Sequence, residues 1–156
     1  MIPGQIQRAQ WRNTLVYRVN PDLQVGVEYN PLSPTANVGP LFNWRLLREQ
    51  NGLPAVIIGT SSDRIGTPNG QAYFVTVSKT VAKGIGLYVG ASYSGFEHRI
   101  IFPAGASFQF DDHWSSIMAF DGVHFHPTVS YNWDRYGVTL IYANTCYPGF
   151  NFSVGF

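Results

Sequence analysis

Thr14-Leu15-Val16-Tyr17-Arg18-Val19-Asn20-Pro21-Asp22-Leu23-Gln24-Val25-Gly26-Val27-Glu28-Tyr29 is the stretch that decides the fold class. Leu15, Tyr17 and Val19 alternate with Thr14, Val16 and Arg18. After a break at Asn20-Pro21-Asp22, Leu23, Val25, Val27 and Tyr29 alternate with Gln24, Gly26 and Glu28. A period of two sends successive side chains to opposite faces of an extended chain. The Asn-Pro-Asp break has the composition of a tight turn, so the two runs read as a β-hairpin.

The same rhythm runs outward to the C-terminal end. Phe42, Trp44 and Leu46 alternate with Asn43, Arg45 and Leu47, and Ala55 to Thr60 is a short β-branched run. Further runs are centred on Tyr73-Val77, Leu87-Tyr93, Phe102-Phe110, Trp114-Phe120, Val129-Trp133, Val138-Tyr142 and Phe150-Phe156. The spacing predicts about eleven antiparallel strands in a meander, an all-β sandwich or barrel. Leu41, Trp44, Leu47 and Arg48 ahead of Gly52 also fit a helix end, which leaves that segment open. Pro103 falls inside a run, which argues either against a strand there or for a bulge. Connections near Asp22, Asn51, Ala82, Asp112 and Asp134 read as short. Those near Pro34, Ile65, Phe96, Val123 and Tyr147 read mostly as longer or more polar, and the two sets fall at opposite ends of a meander.

Composition narrows the class. Of the 156 residues only 12% are charged while 15% are aromatic, a balance opposed to disorder. Scarce Lys (only Lys79 and Lys83) argues against a coiled coil or helical bundle. A net charge of +1 with no basic run gives no footprint for nucleic acid. Cys146 is the only cysteine, so no intrachain disulfide or Cys-based metal framework is expected. No stretch of about 18 apolar residues offers a transmembrane helix, which leaves a membrane-spanning barrel open because its signal is alternation. Met1 to Gln10 lacks the apolar core of a signal peptide, so the chain is expected to be mature, trimmed or not exported by that route.

Alternation alone fits a soluble barrel with an apolar interior as well as a lipid-facing barrel with a polar one. The polar rows decide between them. A water-facing exterior carries Lys and Glu, whereas here the rows are Gly, Ser, Thr, Asn and Gln with a few Arg. The apolar rows are Leu, Val and Phe, with Trp11, Tyr29, Tyr73, Tyr93, Trp114, Trp133 and Tyr142 near strand ends, where aromatic rings sit at a membrane–water boundary. The expectation is therefore an up-and-down antiparallel β-barrel of about 10–12 strands, transmembrane in type, over residues 1–156 as one domain.

In its final segment, Phe150-Asn151-Phe152-Ser153-Val154-Gly155-Phe156, the chain resembles the last-strand assembly signal of bacterial outer-membrane β-barrel proteins. The resemblance implies the outer membrane as location, the lipid bilayer as surroundings and the barrel-assembly machinery as partner. It sits unevenly with an odd strand number, since bacterial single-chain barrels are even; a further strand within Ile2 to Gln10 would restore parity.

The residues that can carry chemistry are few. Arg12, Arg18, Arg45 and Glu28 lie on the polar face of early strands, where they would line a lumen, either pairing with one another or setting ion preference along a narrow water path. Glu28, Asp63, Arg64, Glu97, His98, Asp121, His124 and His126 are expected at the end with the longer loops. His124 and His126 at i, i+2, with Asp121 or His98, have the residue types of a metal or ligand site; an ordinary hydrated rim is the competing reading. No Gly-x-Ser-x-Gly, Gly-Lys-Ser/Thr or His-Glu-x-x-His motif occurs, and Gly84-Ile85-Gly86 opens a strand. His126 with Ser130 or Ser92 is the one pairing that suggests an outer-membrane lipid hydrolase. The leading expectation is a structural or small-pore barrel without a cofactor. The alternative is a soluble barrel or sandwich that binds an apolar ligand or builds an assembly. The sequence names no oligomeric state.

Overall fold

A computed structural model describes residues 11–31, 38–50 and 52–155. The chain is all-β. Twelve antiparallel strands form one up-and-down sheet: β1 Asn13–Asn20, β2 Leu23–Tyr29, β3 Val38–Leu47, β4 Ala55–Ser62, β5 Gln71–Ala82, β6 Ile85–Ser94, β7 Arg99–Ile101, β8 Ala104–Gln109, β9 Trp114–Phe120, β10 Phe125–Trp133, β11 Tyr136–Ala143 and β12 Tyr147–Val154. The ambiguous segment around Trp44 is a strand, and it starts earlier than the alternation indicated, because Val38 to Leu41 pair with Tyr29 to Gly26.

β7 and β8 are a single run of the meander. Ser94↔Arg99 and Ser92↔Ile101 continue as Val89↔Ala104 and Ile85↔Phe108 in one unbroken register against β6. A bulge at Pro103 is therefore absent. The Pro103 carbonyl still accepts from the Gly90 amide at 2.8 Å. The ring lacks the N–H that would return the bond, so the ladder is interrupted without slipping. Register shifts fall instead at Arg18/Asn20, Arg45/Leu47 and Thr80/Ala82, all near the same end of the sheet.

Connections differ by end only in part as expected, since the turn between Gln109 and Trp114 is as long as two of those at the other end. Pro21-Asp22, Lys83-Gly84 and Asp134-Arg135 are two-residue turns at one end, with Gly84 and Asp134 at positive φ. The β3–β4 connection at that end is longer, with a Gln50↔Leu53 bridge inside it. Asp63 to Gly70, Gly95 to His98, Asp121 to His124 and Asn144 to Cys146 lie at the other.

Among the described residues the sheet is not closed: β1 and β12 are its two edges. With β7 and β8 as one run, both edges point the same way along the meander. The stretch Ile2 to Gln10, where a further strand would restore an even count, lies outside the described residues.

Burial is inverted relative to a water-soluble sheet. Val27 is 49% exposed, Val89 59%, Leu140 62% and Phe150 68%. Among the buried residues on the other face are Glu28, Ser92, Ser94 and His126. One sheet has no second layer, so this polar face is covered by the curvature of the sheet and by its own connections. Covering is densest over the middle strands; β1 is exposed throughout. Where rings turn inward they lie over glycines. A Cβ at Gly59 would meet the Phe74 ring at 2.7 Å, and one at Gly105 the Tyr88 ring at 2.6 Å.

Candidate functional site

The long-loop end collects the polar chemistry. Asp63 follows β4 and is 5% exposed. Its Oδ2 accepts from the Ser94 hydroxyl at 2.7 Å and the Phe96 amide at 3.0 Å, and its Oδ1 accepts from the Arg64 amide at 2.8 Å. Ser94, fully buried, also accepts from the Glu97 amide at 2.9 Å. The next residue, Arg64, forms a bidentate pair with Glu97: Nε to Oε2 at 3.0 Å and Nη2 to Oε1 at 2.5 Å. Arg99 adds a second donor to Oε2 at 3.1 Å. Two connections separated by the β5–β6 hairpin are thus tied together by one buried carboxylate and one ion pair.

The charges respond accordingly. The Arg64 guanidinium holds the Glu97 carboxyl at about 2, well below its ordinary 4.5, against an opposing push from burial and with help from Arg99. Reciprocally, the hydrogen bond from Glu97 raises Arg64, and the fields of Asp121 and Asp63 add to it. Asp121 belongs to the β9–β10 connection, at the same end of the sheet as the Arg64 loop.

Asp121 and His126 form the second cluster. The Asp121 Oδ1 accepts from the amides of Val123 and His124, both at 2.8 Å, closing the turn. Its Oδ2 lies 2.8 Å from His126 Nε2. The Asn144 amide donates to His126 Nδ1 at 3.1 Å. Since an amide can only donate, Nδ1 is the acceptor, and the proton sits on Nε2 facing Asp121. Burial acts to raise the Asp121 carboxyl; the His126 ring and the two amides outweigh it, and the net displacement is downward.

Of the expected site residues, the fold brings together Asp121 with His126 and Arg12 with Glu28. The latter pair is 2.5 Å apart, with Glu28 2% exposed and Asn30 Nδ2 donating to its Oε1 at 2.7 Å. Arg18 stands exposed on the polar face of edge strand β1. Arg45 does not join the Arg12–Glu28 pair. It lies at the opposite end, bonding Asp22 at 2.9 Å and the Pro21 carbonyl at 2.8 Å, where it clamps the β1–β2 turn. His98 is exposed at φ 52 with Nδ1 3.4 Å from the Tyr93 hydroxyl, and His124 is exposed in its turn. Among the described residues no group of three or more His, Cys, Asp or Glu side chains stands in metal-holding geometry. His126 is not poised against Ser130 either: both ring nitrogens are engaged, and the Ser130 hydroxyl bonds Thr139 at 2.8 Å.

The part the sequence reading missed is the role of Ser94 and the depth of Asp63. Nothing in a Tyr-Ser-Gly turn marks a serine that will be fully buried. The only available signal was parity, since Ser94 continues the inward row of Gly90 and Ser92.

A band of rings marks the outer face at the short-turn end. Trp114 lies tilted against Tyr131 with centroids 4.8 Å apart, and Tyr131 stacks near Trp133 at 5.6 Å, Trp133 near Tyr136 at 5.8 Å and Tyr136 near Phe152 at 6.2 Å. At the long-loop end Tyr73, Tyr93, Phe125 and Tyr142 face outward and are exposed. Comparison with protein-family models, with curated proteins and with solved structures finds no match.

Proposed function

We propose that this chain is a bacterial outer-membrane β-barrel with a structural or small-pore role, its apolar face against lipid and its polar face around a narrow interior. The observation that carries the reading is the inversion of burial. Val27, Val75, Val89 and Leu140 point away from the rest of the chain, while Glu28, Ser94 and His126 are covered. Leaving such a continuous apolar face in water forfeits about 25 cal/mol per Å², and a lipid surround removes that cost. The rings at both ends of the band fit the two membrane–water boundaries.

The dimensions of the longest strands support it. At about 3.3 Å per residue and a tilt near 40°, the 12 residues of β5 reach about 30 Å and the 10 of β6 about 25 Å, the height of an outer-membrane apolar band. Closure in this reading takes one more strand between the two like-directed edges, or a parallel β1–β12 contact. The bilayer and the barrel-assembly machinery are the partners the reading requires.

The test is extraction and electrophoresis. The protein should need detergent for solubility and should migrate faster unheated than boiled. A monodisperse species in plain buffer whose mobility ignores heating would overturn the reading in favour of a soluble sheet.

A further inference from the structure

We propose that the β4–β5 connection, Asp63 to Gly70, is an inward-folded gate that shuts the long-loop end of the interior, latched by Arg64 to Glu97. The inference rests on the barrel reading above and deepens it, by choosing a closed resting state over an open pore.

Burial is the first argument. The tip of a surface loop is ordinarily its most exposed part, yet Thr67, in the middle of this one, is 5% exposed. Its hydroxyl and amide both bond the Arg64 carbonyl, at 2.9 and 3.3 Å, so the loop is folded on itself. Asp63, Ser94, His126 and Ala143 at the same end are 5%, 0%, 4% and 0% exposed. At the opposite end Arg18, Gln109 and Asn132, on the same polar face, are all exposed. Among the described residues the polar face is covered more closely over the Asp63–Ser94–His126 part of this end than at the other, edge strand β1 apart.

The latch is the second argument. The side chains of Arg64 and Glu97 are only 11% and 19% exposed. Arg64 Nη1 turns back to the Ile65 carbonyl at 3.0 Å, so the guanidinium holds its own loop while the fork holds the next. The field of Asp121 acts on it from the β9–β10 side.

Gly70 is the hinge. It sits at φ +114, and a Cβ there would come within 2.9 Å of both Asp63 Oδ2 and Phe96 Cβ, so only glycine lets the loop return this close to the β6–β7 turn. The loop is fastened both by the Arg64–Glu97 pair and by Asp63 to Ser94 and Phe96, and removing the pair weakens the closed state and shifts the population toward open.

Single-channel recording in planar bilayers tests this, with heat-modifiable mobility checked on every sample. Wild type should be silent or open rarely. Arg64→Gln, and more strongly Glu97→Ala, should raise open probability about tenfold or more, the shift expected on losing one largely buried ion pair. The exchange Arg64→Glu with Glu97→Arg should restore silence. Gly70→Ala should open the channel by a route that leaves both charges in place. Steady wild-type conductance matched by all variants overturns the gate, as does silence of every variant when each is folded and inserted. A sample that never inserts and shows no heat-modifiable form removes the barrel reading itself, and the gate with it.

Discussion

The two ends of the sheet are held by the same kind of chemistry at different depths. At the short-turn end Asp22 receives Arg45 and Arg48 at 2.9 and 2.5 Å, and both arginines are well exposed. At the long-loop end Arg64 and Glu97 make an equally short bidentate pair that is mostly covered, and the neighbouring Asp63, Ser94 and His126 are buried. The Asp22 and Glu97 carboxyls are both held at about 2 by their arginines. Equal local geometry does not imply equal consequence. A clamp in water competes with hydration and salt, whereas a covered one leaves a desolvated charge behind when broken.

The largest effect tests the band between the ends. Leu140→Arg, on the outer face of β11, should cost about 2–4 kcal/mol of folding free energy in lipid vesicles, as a cation near a bilayer midplane does. Urea titration of the vesicle-folded protein measures it. A change near zero would mean that no acyl chains separate the two ends. Thr139→Arg, one residue along and facing inward, serves as the contrast.

Next comes the covered latch. Glu97→Ala leaves Arg64 without its fork partner and should destabilise by about 2 kcal/mol, less than a fully buried pair loses because part of Arg64 reaches water. His126→Ala should act in the same range, because it strips the Asn144 amide and the Asp121 carboxylate of their shared partner. Denaturation midpoints of both variants, read beside Asp22→Asn, give the comparison its number.

How much of this was legible in the sequence follows from what each signal depends on. Alternation depends on the backbone alone, so Leu23 to Tyr29 and Tyr73 to Val77 declared both the strands and their faces. The Pro103 interruption was visible, but its mildness was not, because register is set by β6 across the whole run. The segregation of Asp63, Arg64, Glu97, Asp121 and His126 to one end followed from counting hairpins. Which of them touch did not follow, since that depends on curvature and on how the Asp63 to Gly70 loop returns. Arg45 shows the limit well: parity put it on the polar face beside Arg12, while its long side chain found Asp22 in a turn instead.

Acidity separates the ends more gently. A carboxyl whose folded value is depressed contributes stability above its unfolded value and loses that contribution as pH falls toward the folded one. For Glu97 the window runs from 4.5 down to about 2, and for Asp22 from 3.8 down to about 2. Stability should therefore decline between about pH 5 and pH 2. Glu97→Gln should flatten that decline more than Asp22→Asn, because the exposed clamp is already weakened by solvent. Equal flattening by the two variants would mean that the long-loop end is as hydrated as the other.

The smallest effect is the removal of the exposed clamp at neutral pH. Asp22→Asn keeps the Asn20 side chain bonded to the residue-22 amide, which holds the turn without any charge. The loss should be the smallest of the set and should shrink further in 1 M salt, where exposed charges are screened within about 3 Å. The Glu97→Ala penalty should persist in the same salt. Salt dependence thus reads depth directly: if both penalties fell together on adding salt, Arg64 and Glu97 would be meeting in open water, and the loop they fasten would not be folded inward.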